Sequence, residues 1–199
     1  MDLLDSWKEK EVSKKQLDLN LVELSDKNKY PPHWWIFLDL LKQKNIKSVY
    51  DLGCGVGVYY KLLKDNEPNI TYKGADYSEN AIQIAIEHWK SECFEVKDLW
   101  DLKSSDLNNY ELLHMGALLD VLPNGDEALD YLLSLNHDKI FISRILMTKD
   151  DSNYSVYEAY DTIETYSFKH NQKKLILMFE KHNYYFEFIQ NNIFLHKNN

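Results

Sequence analysis

VYDLGCGVGVYY, residues 49 to 60, sets Gly53, Gly55 and Gly57 at alternate positions directly behind a short apolar run that ends in Asp51 and Leu52. The chain has only six glycines, so three within five residues mark a turn in which the backbone itself has a task. Glycine lets the chain bend tightly and lets a ligand approach where a Cβ would collide. An ordinary strand-to-helix connection needs one glycine, not three, so the spacing favours a ligand-binding loop. The run before the loop, SVYDL, reads as a buried strand, and YYKLLKDN after it as a helix.

Outward from this turn the same alternation repeats. ITYKGAD is a second strand and SENAIQIAIEHWK a second helix with Ser78 as its N-cap. FEVKD and YELLHMG follow as strands; Pro123, Asn124 and Gly125 then turn the chain into the helix DEALDYLLSL, and KIFISRIL is a fifth strand. A last helix, NQKKLILMFEKHN, leads into YYFEFI and IFLHK, separated by hairpin chemistry at QNN. Strands alternating with helices predict an α/β fold: a doubly wound, mainly parallel seven-stranded sheet in a three-layer α/β/α sandwich, with an antiparallel C-terminal strand. Residues 47–199 are expected to form this Rossmann-like domain. Residues 1–46 are expected to be a helical cap, with 1–29 as one polar helix, and the break NKYPPHWW followed by a helix whose Trp34, Phe37, Leu38 and Leu41 must dock on something.

In such a sheet the ligand lies beyond the carboxyl ends of the strands, beside the first one, where the glycine turn stands. A dinucleotide fingerprint G-x-G-x-x-G would need its third glycine at Val58, so the spacing disfavours nicotinamide chemistry. Asp51, two residues ahead of Gly53, is badly placed beside a pyrophosphate and suits a ligand carrying an ammonium group.

With these pieces in register, the stretch from Lys47 to Lys197 resembles the class I S-adenosylmethionine-dependent methyltransferases, whose first motif has the form D-x-G-x-G-x-G. The resemblance implies S-adenosyl-L-methionine as cofactor and places Asp51, Gly53, Cys54, Gly55 and Gly57 at its amino-acid end. It implies that Asp76 in KGADYSENA accepts from the ribose hydroxyls with Tyr77 over the adenine. Asp98 and the backbone of Leu99 in FEVKDLW would meet the adenine ring, and Met115 and Gly116 in YELLHMG would lie beside the methionine moiety. It also implies a closing hairpin whose last strand inserts between the fifth and sixth. Relatives with small acceptors often carry a histidine after the fourth strand; Val121 stands there, which leaves that mechanism without its residue and Asp120 as a neighbouring candidate. Cys54 reads as a space-filling residue of the turn, and His114 as a core histidine.

Methyl transfer needs alignment and water exclusion more than a dedicated catalyst. For the acceptor, Tyr30, His33 and Trp34 are candidates for an aromatic lid, with His33 and Tyr30 as weak catalytic candidates. Among 23 basic residues Arg144 alone is arginine, at the end of the fifth strand. It reads as a fork for a substrate carboxylate or phosphate, or equally as a salt-bridge partner of Glu158 or Asp120. The net charge of −9 gives a phosphate backbone little to bind, so a small-molecule acceptor is expected and a nucleic-acid partner is not. No apolar run approaches a membrane span, the first residues alternate charge, and two cysteines make neither a disulfide framework nor a metal spacing. A cytoplasmic, metal-free methyltransferase is the expectation. The rival reading is a silent member of the same fold acting as a binding module.

Overall fold

The computed structural model describes residues 3–160 and 163–197. Seven strands form the main sheet: β1 (Ser48–Leu52), β2 (Thr71–Asp76), β3 (Phe94–Val96), β4 (Leu112–Gly116), β5 (Lys139–Ser143), β9 (Tyr184–Ile189) and β10 (Asn192–Lys197). Their order is β3-β2-β1-β4-β5-β10-β9, and only β10 runs against the rest, pairing antiparallel with both β5 and β9. The predicted insertion of the last strand is therefore present. Every residue of β1 is buried, as expected of a central parallel strand covered on both faces.

Alternate side chains of the central strands feed two cores. Tyr50, Leu52, Leu113 and Ile142 face α6 (Gly125–Ser134) and α7 (Gln172–Lys181). Val49, Leu112 and Phe141 face α2 (Pro32–Gln43) and α3 (Val58–Asn66). The docking face expected of α2 is confirmed by Trp34, Phe37, Leu38 and Leu41, all buried. Ser78 caps α4 (Glu79–Trp89) by accepting from the Ala81 N–H at 3.3 Å. The short α5 (Ser104–Leu107) links β3 to β4.

Two parts of the chain differ from expectation. The first 29 residues are not one helix: a 3-10 turn at Leu3–Lys8, α1 (Lys10–Leu24) and a further turn at Lys27–Lys29 replace it, and Met1 and Asp2 lie outside the described residues. Between β5 and α7 the chain builds a second, three-stranded sheet in the order β6-β8-β7, from β6 (Met147–Thr148), β7 (Asn153–Ala159) and β8 (Ile163–Asn171). No helix among the described residues is long and apolar enough to cross a membrane.

Candidate functional site

The carboxyl ends of the parallel strands open onto one cavity of about 460 Å³, floored by the turn after β1. Gly53 and Cys54 donate their N–H groups to the Ala75 carbonyl at 2.8 and 3.0 Å, which ties the turn to β2. Gly53, Gly55 and Gly57 all have positive φ, at +74°, +52° and +81°. At Gly57, the residue preceding α3, a Cβ would also lie 2.7 Å from two ring carbons of Phe94 and 3.1 Å from Trp89 Nε1. Gly57→Ala is therefore expected to cost about 2 kcal/mol through left-handed strain and overpacking, read as a lower midpoint of thermal unfolding. A loss under about 0.5 kcal/mol would show that the loop repacks freely.

Asp76 stands at the end of β2 in the cavity wall. Its Oδ2 accepts from the Gly55 N–H and its Oδ1 from the Ser78 N–H, both at 2.9 Å. Burial pushes this carboxyl up to about 6 against the pull of those two donors, with Asp51 adding to the rise. Tyr77 follows it in the wall and donates its hydroxyl to the Leu4 carbonyl. Across the cavity lie Asp98, whose Oδ1 accepts from the Trp100 N–H at 3.0 Å, and the buried Leu99. Gly116 ends β4, and a Cβ there would meet the Tyr59 ring at 2.8 Å. Gly53, Gly55, Asp76, Tyr77, Asp98, Leu99 and Gly116 are thus brought together around one space.

The other expected cofactor residues do not line it. Asp51 lies fully buried behind the turn, on the face that α2 covers. Its Oδ1 is 2.7 Å from His114 Nδ1, and its Oδ2 accepts from the Tyr72 hydroxyl at 2.6 Å. His114 Nε2 meets Ser143 Oγ at 3.1 Å, so a buried polar row crosses β1, β4 and β5. In place of an ammonium, then, Asp51 has two side chains of its own sheet. Cys54 is turned inward, with its sulfur 2.9 Å from where a Gly74 Cβ would stand, and burial holds its thiol well above the ordinary range. Met115 is packed into the core beneath β4, where strand alternation sends it away from Gly116.

Tyr30, His33 and Trp34 are also displaced from the expected lid. Tyr30 and Trp34 are buried in the core beneath α2, with ring centroids 5.2 Å apart. None of the three lines the cavity. His33 is half-buried, and desolvation, followed by the nearby Arg144 and His114 charges, lowers its pKa to about 4. The physical reason is the amphipathic pattern of α2, which commits its aromatic face to the sheet.

The cover comes from elsewhere. Leu4, Trp7 and Gln16 from the N-terminal segment, with Tyr157 to Ala159 of β7 and Tyr160 directly after it, close the cavity. Trp7 Nε1 donates to Thr165 Oγ1 at 2.8 Å, Asn80 Nδ2 donates to the Lys8 carbonyl at 2.8 Å, and Lys15 Nζ donates to the Tyr160 carbonyl at 3.1 Å. Gln16 packs on the glycine turn, since a Cβ on Gly55 would stand 2.7 Å from its amide oxygen. The density of β-branched and aromatic residues in NYSVYEA and IETYSF was the available signal for this second sheet.

Arg144 is in the cavity wall, directly after β5, with φ +63° and its N–H donating to Asn192 Oδ1 at 3.1 Å. Among the described residues it forms no ion pair, and neither Glu158 nor Asp120 closes on it. Asp120, on the 3-10 turn Leu119–Val121, lines the same cavity, and its buried Oδ1 has no hydrogen-bond partner. Burial raises the Asp120 carboxyl, while the charge of Arg144, its own backbone N–H and the charge of His170 draw it down, in that order.

Residues 50–138 match the family model described as a methyltransferase domain. The chain superposes on human N-acetylserotonin methyltransferase, solved in complex with SAM, at a TM-score of 0.69 and 14% identity. That match covers 100% of this chain and 59% of the human one, so the chain spans less than two thirds of that enzyme. The methyltransferase domain of bacterial CtHen1-C gives 0.61 at 15% identity, covering 83% of this chain and 97% of that one. The sugar N-methyltransferase KedS8 from Streptoalloteichus sp. gives 0.59 at 10% identity, covering 91% and 93%. No curated protein matches by sequence. Residues 50–138 thus resemble a methyltransferase domain, set within a chain that has the Rossmann-like fold of the methyltransferases of known structure.

Proposed function

We propose that this chain is an S-adenosyl-L-methionine-dependent methyltransferase acting on a small-molecule acceptor. One observation carries the reading: a buried carboxylate, Asp76, is held by two backbone N–H groups at the rim of a cavity whose floor is glycine backbone. A carboxylate fixed in this way keeps lone pairs for the two hydroxyls of a ribose, and Gly53 and Gly55 leave room for close approach. Asp98 and the backbone of Leu99 fit the adenine end; Gly116 fits the amino-acid end. The cofactor supplies the activated methyl group as a sulfonium. The residues of this chain bind it, orient the acceptor and exclude water.

Residues 47–199 form the catalytic domain in this reading, and residues 1–46 split their work. The turn at Leu3–Lys8 and Gln16 of α1 cover the cavity. The helix α2 shields the buried polar row behind it. Asp51 serves the site indirectly, by holding His114 and Tyr72 in place behind the glycine turn. Arg144 and Asp120 face the end left for the acceptor.

Calorimetric titration with S-adenosylhomocysteine tests the reading. Micromolar to submillimolar binding with a matching rise in melting temperature is expected. No heat and no thermal shift at millimolar excess would refute it.

A further inference from the structure

Arg144 and Asp120 come from different elements, the end of β5 and the turn after β4, yet line one cavity. They carry opposite charges and do not pair. A guanidinium and a carboxylate sharing a half-desolvated space ordinarily close on one another, because Coulomb attraction grows as water is removed. Here they do not: Arg144 stands at φ +63° with its N–H bonded to Asn192, and Asp120 sits on a turn with its Oδ1 buried and without a partner. Each group is left to meet something else. The charged and titratable groups that act on Asp120 are Arg144 after β5 and His170 of β8, and Asp120 in turn acts on Tyr157 of β7. His170 Nδ1 is held by Asp126 of α6 at 2.7 Å, and its buried Nε2 has no hydrogen-bond partner.

The walls between them are aromatic. Trp7, Tyr157 and Tyr160 line the cavity, and Trp7 meets Tyr160 edge-on at 5.9 Å between centroids. Flat apolar surfaces of this kind favour a planar ligand, while the two charges set what its ends must carry. An arginine fork recognises a carboxylate in a bidentate way, and a carboxylate in a cavity wall accepts from a donor that enters the cavity.

We propose that the acceptor is a small planar aromatic acid, its carboxylate held by Arg144 and its hydroxyl or amine donating to Asp120. The inference rests on the methyltransferase reading and adds the substrate class to it. It predicts a two-point preference: losing either end of the ligand, or either residue, removes one contact and leaves the other.

The test uses the full chain saturated with S-adenosylhomocysteine and titrated with 2-, 3- and 4-hydroxybenzoate, benzoate and phenol, followed by ligand-observed NMR. The three isomers bracket the spacing between the two anchors. At least one isomer is expected to bind about tenfold more tightly than both benzoate and phenol, the difference that one charge-assisted hydrogen bond makes. Arg144→Gln should erase the advantage over phenol and keep that over benzoate; Asp120→Leu should do the reverse. Ligand-free melting of each variant reports its folding, and Asp120→Ala replaces the leucine variant if that one unfolds. The inference is overturned if no isomer outbinds both fragments, or if the preference survives both substitutions. Absence of S-adenosylhomocysteine binding would instead overturn the methyltransferase reading beneath it.

Discussion

Asp51→Ala is expected to lower the stability of the fold by about 3–5 kcal/mol, the cost of removing one partner from a buried polar pair. The carboxylate is fully buried and has two partners, His114 Nδ1 at 2.7 Å and the Tyr72 hydroxyl at 2.6 Å. Deleting it leaves His114 Nδ1 and the Tyr72 hydroxyl without that acceptor in a region walled by Phe37, Tyr59 and Phe141, where water has no ready access. For a chain of this length the melting temperature should fall by roughly 6–20 °C. Asp51→Asn keeps the shape and one acceptor and should lose about half as much. A second change separates polar cost from packing: His114→Phe in the Asp51→Ala background removes the orphaned Nδ1 and should recover part of the loss. If Asp51→Ala melted within a degree or two of the wild type while abolishing ligand binding, the carboxylate would be a ligand contact after all and not a structural one.

The three motif acids differ in how far their place in the fold could be read from the sequence. Asp76 and Asp98 stand at strand ends, and any doubly wound sheet directs strand ends toward the same crevice, so their destination followed from counting elements. Asp51 precedes the turn by two residues and lies inside β1, where side chains alternate between faces. Its destination depended on which residues of β2 and β4 stand beside it, Tyr72 and His114, and those are 21 and 63 positions away. Neither partner announces itself in a one-dimensional pattern. The aromatic run at Trp34 was legible as a docking face and, for that same reason, was unavailable as a lid.

The cover of the cavity was hidden for a different cause. Strand β7 is exposed along most of its length, so it lacks the apolar alternation that marks a half-buried strand. The N-terminal segment is polar and binds through single contacts such as Trp7 to Thr165, which leave no periodic trace. Arg144 was found by composition, as the lone arginine in a lysine-rich chain, and its place in the wall makes that oddity chemical.

Affinity for S-adenosylhomocysteine should fall as pH drops through about 6, and Asp76 is the group that sets this slope. Burial has raised its carboxyl from 3.8 to about 6 in the ligand-free fold. The protonated form is therefore the one the empty site tolerates. Stability from this group is fully present below its unfolded value near 4 and is lost as pH rises through about 6. Ribose hydroxyls reverse the preference, because they donate to the carboxylate and so favour its charged form. Binding must then release a proton below about pH 6, and affinity should weaken by up to tenfold per pH unit there. Calorimetry in two buffers of different ionisation enthalpy measures that proton directly. Asp76→Asn should bind about 10–100-fold more weakly at neutral pH, since an amide accepts less strongly and sets an N–H against the Gly55 or Ser78 donor. Its remaining affinity should be flat between about pH 5 and 7.5, because the amide does not titrate. A wild-type affinity that does not vary over that interval would mean that the ligand's sugar lies elsewhere in the cavity.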